Sequence, residues 1–168
     1  MKTIVAVDKE WGIGKNNGLL FHLPADLKYF KEKTLDKIIV MGGNTLLSFP
    51  GSKPLPRRTN IVLSDVFTRD DCLVCSTLEE LFKELKKYNT DDIFVVGGAM
   101  FYRTMIDYCD EALITKVDST NEAQVFFPNL DQKDNWIEVE SSEPMLDNGH
   151  VIRFTKYINT NVKELKYE

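Results

Sequence analysis

Ile93-Phe94-Val95-Val96-Gly97-Gly98-Ala99-Met100-Phe101-Tyr102 decides how this chain is folded. A β-branched and aromatic run of strand length, Ile93–Val96, passes through two glycines straight into a helical pattern over Ala99–Ile106. Such a junction brings bare backbone N–H groups to the start of a helix, where an anion is stabilised. Gly42-Gly43-Asn44-Thr45 repeats the arrangement after the run Ile38–Met41. Each glycine pair alone is compatible with an ordinary tight turn, but together they offer seats for the two phosphates of a dinucleotide.

On either side the same alternation recurs. Thr3–Val7, Asn60–Leu63, Cys72–Cys75 and Ala112–Val117 are further apolar runs of strand length. Helical patterns cover Pro24–Glu32, Asn44–Phe49 and Thr77–Lys87, the last opened by Thr77 with Glu80 in capping-box spacing. Strand and helix in turn predict right-handed crossovers and a largely parallel sheet. Near the C-terminal end, Trp136–Glu140 and Val151–Ile158 alternate apolar and polar around Asp147-Asn148-Gly149, which reads as an antiparallel hairpin closing the sheet edge. The fold class is therefore α/β: one domain over residues 1–158, with a central, mostly parallel, eight-stranded mixed sheet, the C-terminal hairpin and about four helices on both faces. A polar tail, 159–168, is expected to fray.

At 168 residues, 43% of them hydrophobic and 28% charged, the chain is long enough to bury roughly two-thirds of its unfolded surface without a disulfide or metal. Its 21 basic against 26 acidic residues, a net charge of −5, argue against a nucleic-acid partner. Cys72, Cys75 and Cys109 lack the second pair or His cluster that completes a zinc set, so no metal is expected, and unpaired thiols fit a reducing compartment. The N-terminal apolar run stops at Val7 before Asp8-Lys9-Glu10, too short for a signal peptide or a membrane span, which points to a cytoplasmic protein without membrane attachment.

In open α/β sheets ligands bind beyond the carboxyl ends of the strands. After the first strand comes Trp11-Gly12-Ile13-Gly14-Lys15-Asn16-Asn17-Gly18, whose glycines do not lead directly into a helix and so do not make a Rossmann fingerprint. This stretch is read as a mobile cover over a pocket, with Ile13 and Leu19 supplying apolar contacts. Next, Leu23-Pro24-Ala25-Asp26-Leu27-Lys28-Tyr29-Phe30 places proline at the first helical position and a carboxylate in the first turn. Leu23, Leu27 and Phe30 share the inward face and bring Asp26 to the border of buried apolar surface, where an acid can grip a flat amidine-like ligand. Ser64-Asp65 ends the third strand, and Arg57-Arg58 stand just before it, where alternation turns one guanidinium inward to fork onto a carboxylate and the other to solvent.

Ile4-Val5-Ala6-Val7, Gly12-Ile13-Gly14-Lys15-Asn16, Leu23-Pro24-Ala25-Asp26-Leu27, Val40-Met41-Gly42, Thr45, Pro54-Leu55-Pro56, Asn60-Ile61-Val62-Leu63-Ser64 and Val96-Gly97-Gly98, in this order and separation, closely resemble the dihydrofolate reductase family over nearly the whole chain. The resemblance implies that fold, and reduction of dihydrofolate to tetrahydrofolate for one-carbon metabolism. The hydride passes from C4 of the reduced nicotinamide of NADPH to C6 of the pterin, while N5 gains a proton through a bound water. It implies that Asp26 binds the pterin 2-amino group and N3, with Thr115 as its hydroxyl partner, and that Leu19 and Phe21 line the reaction centre. Leu27, Phe30, Phe49 and Leu55 would wall the substrate, Arg58 would pair with its glutamate carboxylate, and Ile4, Val5 and Val96 would lie against the pterin, Ile4 and Val96 through their carbonyls.

On the cofactor side the resemblance implies Ala6, Ile13, Gly14, Gly42, Gly43, Asn44, Thr45, Leu63, Ser64, Asp65, Gly97, Gly98, Ala99, Met100, Phe101 and Tyr102, with a cis peptide between Gly97 and Gly98. It further implies binding of antifolate-type small molecules and a monomer. Burial is expected to raise the pKa of Asp26. Phe21 and Leu20 stand where the family usually has tryptophan and proline, which removes an indole N–H near the pterin. Gly43, Asp65 and Met100 stand where bases often hold the ribose 2′-phosphate, so use of NADH becomes possible. The competing readings are a related reductase of riboflavin synthesis and a non-catalytic pterin- or nucleotide-binding module.

Overall fold

Side chains that alternate along apolar strands are buried on both faces of a sheet only when something covers each face, and this chain supplies both covers. The computed structural model describes residues 1–15 and 18–166. Asn16 and Asn17, part of the expected cover, lie outside the described residues. The strands are β1 Lys2–Val7, β2 Gly12–Lys15, β3 Gly18–Leu19, β4 Ile38–Gly42, β5 Thr59–Leu63, β6 Leu73–Cys75, β7 Ile93–Val95, β8 Glu111–Val117, β9 Val125–Phe126, β10 Trp136–Ser141, β11 Met145–Asp147 and β12 His150–Asn159. The α-helices are α1 Pro24–Thr34, α2 Gly43–Ser48, α3 Leu78–Leu85 and α4 Ala99–Met105.

The main sheet runs β10-β12-β8-β1-β7-β4-β5-β6, with β11 also paired to β12. From β8 to β6 every neighbouring pair is parallel, and β12 is antiparallel to β8, β10 and β11. Alternation divides the core. Ile39, Met41, Val62, Phe94, Ile4 and Leu113 meet Tyr29 and Phe30 of α1 and Leu46 of α2 on one face. Ile38, Val40, Ile61, Ile93, Val95 and Ile114 meet Leu81, Phe82 and Leu85 of α3 and Phe101, Tyr102 and Met105 of α4 on the other. The capping signal at α3 holds in slightly shifted form. Thr77 Oγ1 accepts from the Glu80 N–H at 3.1 Å, while the Glu80 carboxylate reaches past Thr77 to accept from the Ser76 N–H at 2.9 Å.

Three expectations need correction. The C-terminal hairpin is three-stranded: Asn148 (φ 48°) and Gly149 (φ 81°) make a two-residue turn of the left-handed kind between β11 and β12, so the sheet has nine strands. The stretch read as a mobile cover is partly built into structure, because Gly12–Lys15 forms β2, paired with β3 and β9 in a small antiparallel sheet. Ile13 makes its apolar contacts within the core, where it is buried. Last, Asn159 does not begin a fraying tail. It closes β12, its amide donates to the Cys109 carbonyl at 2.9 Å and accepts from Asn135 at 2.8 Å, and Leu165 packs against the core.

Candidate active site

α1 begins at Pro24, which is tolerated there because the first N–H of a helix has no intrahelical partner. Asp26 follows in the first turn, half-buried, and across the sheet Thr115 of β8 lies buried beneath it. The Thr115 hydroxyl donates to Asp26 Oδ1 at 2.6 Å. Ala6 of β1 stands directly beside Thr115 in the strand register, so a small side chain leaves this spot open. Burial pushes the Asp26 carboxyl above its ordinary value; the Thr115 hydrogen bond opposes that shift and the nearby Asp147 charge adds to it. The Tyr29 phenol is pushed up to about 12, by burial first and then by the negative charge of Asp26. Exchanging Thr115 for Val keeps the volume and deletes the donor. Losing it costs about 1–3 kcal/mol, so a roughly tenfold lower kcat/KM is expected, with the pH profile displaced upward because the ionised form loses its hydrogen bond; steady-state kinetics across pH checks this.

Around this pair, Ile4 is buried, and Phe30, Phe49, Leu55 and Val96 pack half-buried on the same apolar cluster. Leu27 is 50% exposed and Leu19 81% exposed, so both leave apolar surface open to solvent. Alternation turns the Val5 side chain to the opposite face, against the cluster containing Val7 and Trp11, so only its backbone is left toward the Asp26 side. Phe21 packs with Leu23, Val117 and Ile152, its ring edge-on to His150 with centroids 5.4 Å apart.

The paired arginines separate, though not by strand alternation: both lie in the turn before β5, where the left-handed backbone at Arg57 redirects the chain. Arg57, at φ 59°, turns out to Asp36 at 3.0 Å. Both arginines border a cleft of about 550 Å³ lined also by Leu55, Pro56 and Cys72, and Arg58 is the more buried of the two. Its Nε is buried without a hydrogen-bond partner. Burial, and then the charge of Arg57, lower its pKa. Asn60, missed in the sequence, fixes this loop: its side chain accepts from the Leu55 N–H and donates to the carbonyls of Leu55 and Arg58, each at 3.0 Å. A buried donor with no partner is costly, and a planar carboxylate is the group that satisfies a guanidinium fork.

The carboxyl ends of β4 and β7 are joined by the Gly42 N–H donating to the Gly97 carbonyl at 2.9 Å, and the Gly97–Gly98 peptide is cis. Gly97 has φ 133°, and a Cβ there would come 3.1 Å from Thr45 Oγ1, so backbone and hydroxyl lie bare where a side chain would intrude. Gly42, Gly43, Asn44, Thr45, Gly98 and Ala99 are gathered at these ends, and the cradle fits the backbone of a dinucleotide. Ser64 spends its hydroxyl on the Val66 N–H at 3.2 Å, Leu63 packs on the core, and Asp65 and Met100 are exposed. Gly43 is crowded by Phe67, whose ring would stand 3.1 Å from an added Cβ. Phe101 and Tyr102 are buried, and the Tyr102 hydroxyl donates to the Ile4 carbonyl at 2.9 Å and stands beside Gly97, 3.6 Å from where a Cβ there would lie. Among the described residues no cluster of His, Cys, Asp or Glu is arranged to hold a metal.

Residues 1–160 match the family model described as dihydrofolate reductase. The chain belongs to the dihydrofolate reductase family. It is 35% identical over 162 residues to the dihydrofolate reductase of Bacillus subtilis, covering 94% of each, and 33% identical over 138 residues to that of Haemophilus influenzae, covering 82% of this chain and 81% of the relative. Among solved structures it resembles the dihydrofolate reductase from Enterococcus faecalis complexed with NADP(H) and RAB-propyl, with a TM-score of 0.82, 33% identity and coverage of 94% and 95% of the two chains. No helix among the described residues is long and apolar enough to cross a membrane.

Proposed function

We propose that the chain catalyses reduction of dihydrofolate to tetrahydrofolate with NADPH. The observation that carries this is Asp26, a carboxylate half-buried in a helix's first turn and held at 2.6 Å by a buried threonine. NADPH, when bound, supplies the hydride. The chain's own groups do the rest. Asp26 accepts from the amidine edge of the pterin and polarises the ring toward protonation at N5, which water delivers. Thr115 fixes the direction of that carboxylate, while Ile4, Phe30, Phe49 and Leu55 exclude bulk water and Arg58 takes the substrate's carboxylate tail. Antifolate-type molecules with the same edge compete for the site. The protein acts as a monomer in the cytoplasm.

Purified protein mixed with dihydrofolate and NADPH is expected to consume the nicotinamide absorbance at a rate that depends on both. Binding of both without turnover would instead favour a non-catalytic module, and turnover only with a ribosylated aminopyrimidine would favour the riboflavin-pathway reductase. The cofactor preference is a further expected outcome. Gly43, Asp65 and Met100 bring no positive charge to the ribose end. Loss of a charge-assisted phosphate contact costs about 1.5–3 kcal/mol, roughly tenfold to over a hundredfold. Hence kcat/KM for NADPH is expected to exceed that for NADH by less than about a thousandfold, and a larger ratio contradicts this reading of Gly43 and Asp65.

A further inference from the structure

α1 has no side-chain cap of its own. Its N-cap is Leu23, which has no acceptor, and Pro24 has no N–H. The next two donors are taken by a residue far along the chain: Asp147 Oδ2 accepts from the Ala25 N–H at 2.9 Å and from the Asp26 N–H at 3.4 Å. Asp147 is only 7% exposed, at the last position of β11, where the Asn148-Gly149 turn sets its direction. The adjoining Asn148 amide donates to the His22 carbonyl at 2.7 Å. Two consecutive hairpin residues thus hold the chain on both sides of Leu23-Pro24.

We propose that Asp147 is a positioning residue of the reaction, fixing the first turn of α1 and with it the direction of the Asp26 carboxylate. The cap and the catalytic acid are neighbours: the helix that Asp147 anchors carries Asp26 on the very N–H it binds. A second carboxylate this close also favours the protonated form of Asp26. The groups that bear on Asp26 are then the Thr115 hydroxyl from β8, Asp147 from the hairpin, Tyr29 from α1 and Tyr102 from α4, with His150 facing Asp147 across the turn.

The proposal rests on the dihydrofolate reading for its kinetic arm only. Asp147→Asn keeps an oxygen for the Ala25 N–H and removes the charge; Asp147→Ala removes both. With dihydrofolate and NADPH, Asp147→Ala is expected to lose roughly tenfold in kcat/KM, and Asp147→Asn to recover most of that loss at neutral pH. Both variants are expected to shift the pH midpoint of kcat/KM downward, because a like charge is gone. A purely structural cap would lower the melting temperature of both and leave that midpoint in place. Titration of the Asp26 carboxyl carbon by NMR in Asp147→Asn gives the arm independent of turnover: a lower midpoint than in the parent supports the proposal, and an unchanged midpoint together with parent-like kinetics overturns it. A parent chain inactive on dihydrofolate, with the NMR shift present, sinks the substrate assignment and not the role of Asp147.

Discussion

Replacing Asp26 by Asn is expected to remove most of the activity at neutral pH, roughly a hundredfold or more in kcat/KM, and to restore part of it in acid. The amide keeps the shape and one acceptor but cannot carry the charge that grips the amidine edge and draws a proton onto the ring. In acid, solvent protonates the substrate without that help, so the variant's rate climbs toward the parent's. An unchanged pH profile in Asp26→Asn would remove this residue from the mechanism. The same substitution is expected to stabilise the fold at neutral pH. Burial raises the Asp26 pKa in the folded state above its ordinary 3.8. The native protein therefore binds the proton more tightly than the unfolded chain, and stability is lost as pH rises from 3.8 through the raised native value. Asn has no such cost. Melting temperatures should favour Asp26→Asn at neutral pH and converge with the parent's well below 3.8.

Replacing Arg58 by Leu is expected to raise KM for dihydrofolate roughly tenfold to a hundredfold with little change in kcat. Its buried, unpartnered Nε marks a donor waiting for an acceptor, and the substrate's glutamate carboxylate is the acceptor of matching shape. That contact is remote from the reacting atoms and equally strong in ground and transition states, so its loss appears in KM. Dihydropteroate, which lacks the glutamate, should be used equally well by parent and variant. Arg57→Leu serves as the comparison, because Arg57 is already engaged with Asp36 at the surface, and its effect should be small. Equal KM changes in the two variants would contradict the inward assignment of Arg58.

Much of this was legible in the chain because it was written in local patterns. The runs Ile38–Met41 and Asn60–Leu63 are buried on both faces, so each reads as one continuous apolar signal, and both form strands. Pro24 with Asp26 marked a helix start, and Asn148-Gly149 marked a tight turn, because each is dictated by backbone chemistry at one or two residues. What stayed hidden depends on contacts between distant segments. Asp147 looked like an ordinary turn residue, since nothing in Asp147-Asn148-Gly149 tells that its carboxylate caps a helix 122 positions away. Phe67 gives no hint in sequence that its ring lies close over Gly43. The short strands β2, β3 and β9 carry glycine-rich or two-residue segments, too brief for periodicity to register, and only their pairing defines them. Nothing local to Tyr102 tells that its hydroxyl binds the Ile4 carbonyl 98 positions away.

The most direct measurement is an NMR titration of the Asp26 carboxyl carbon in the free protein and again saturated with folate. The expected result is a midpoint above 3.8 when free, displaced downward when the pterin binds, because the ligand's donors stabilise the ionised carboxylate. A midpoint that does not move on saturation would mean that the pterin does not touch Asp26, and would contradict the site described above.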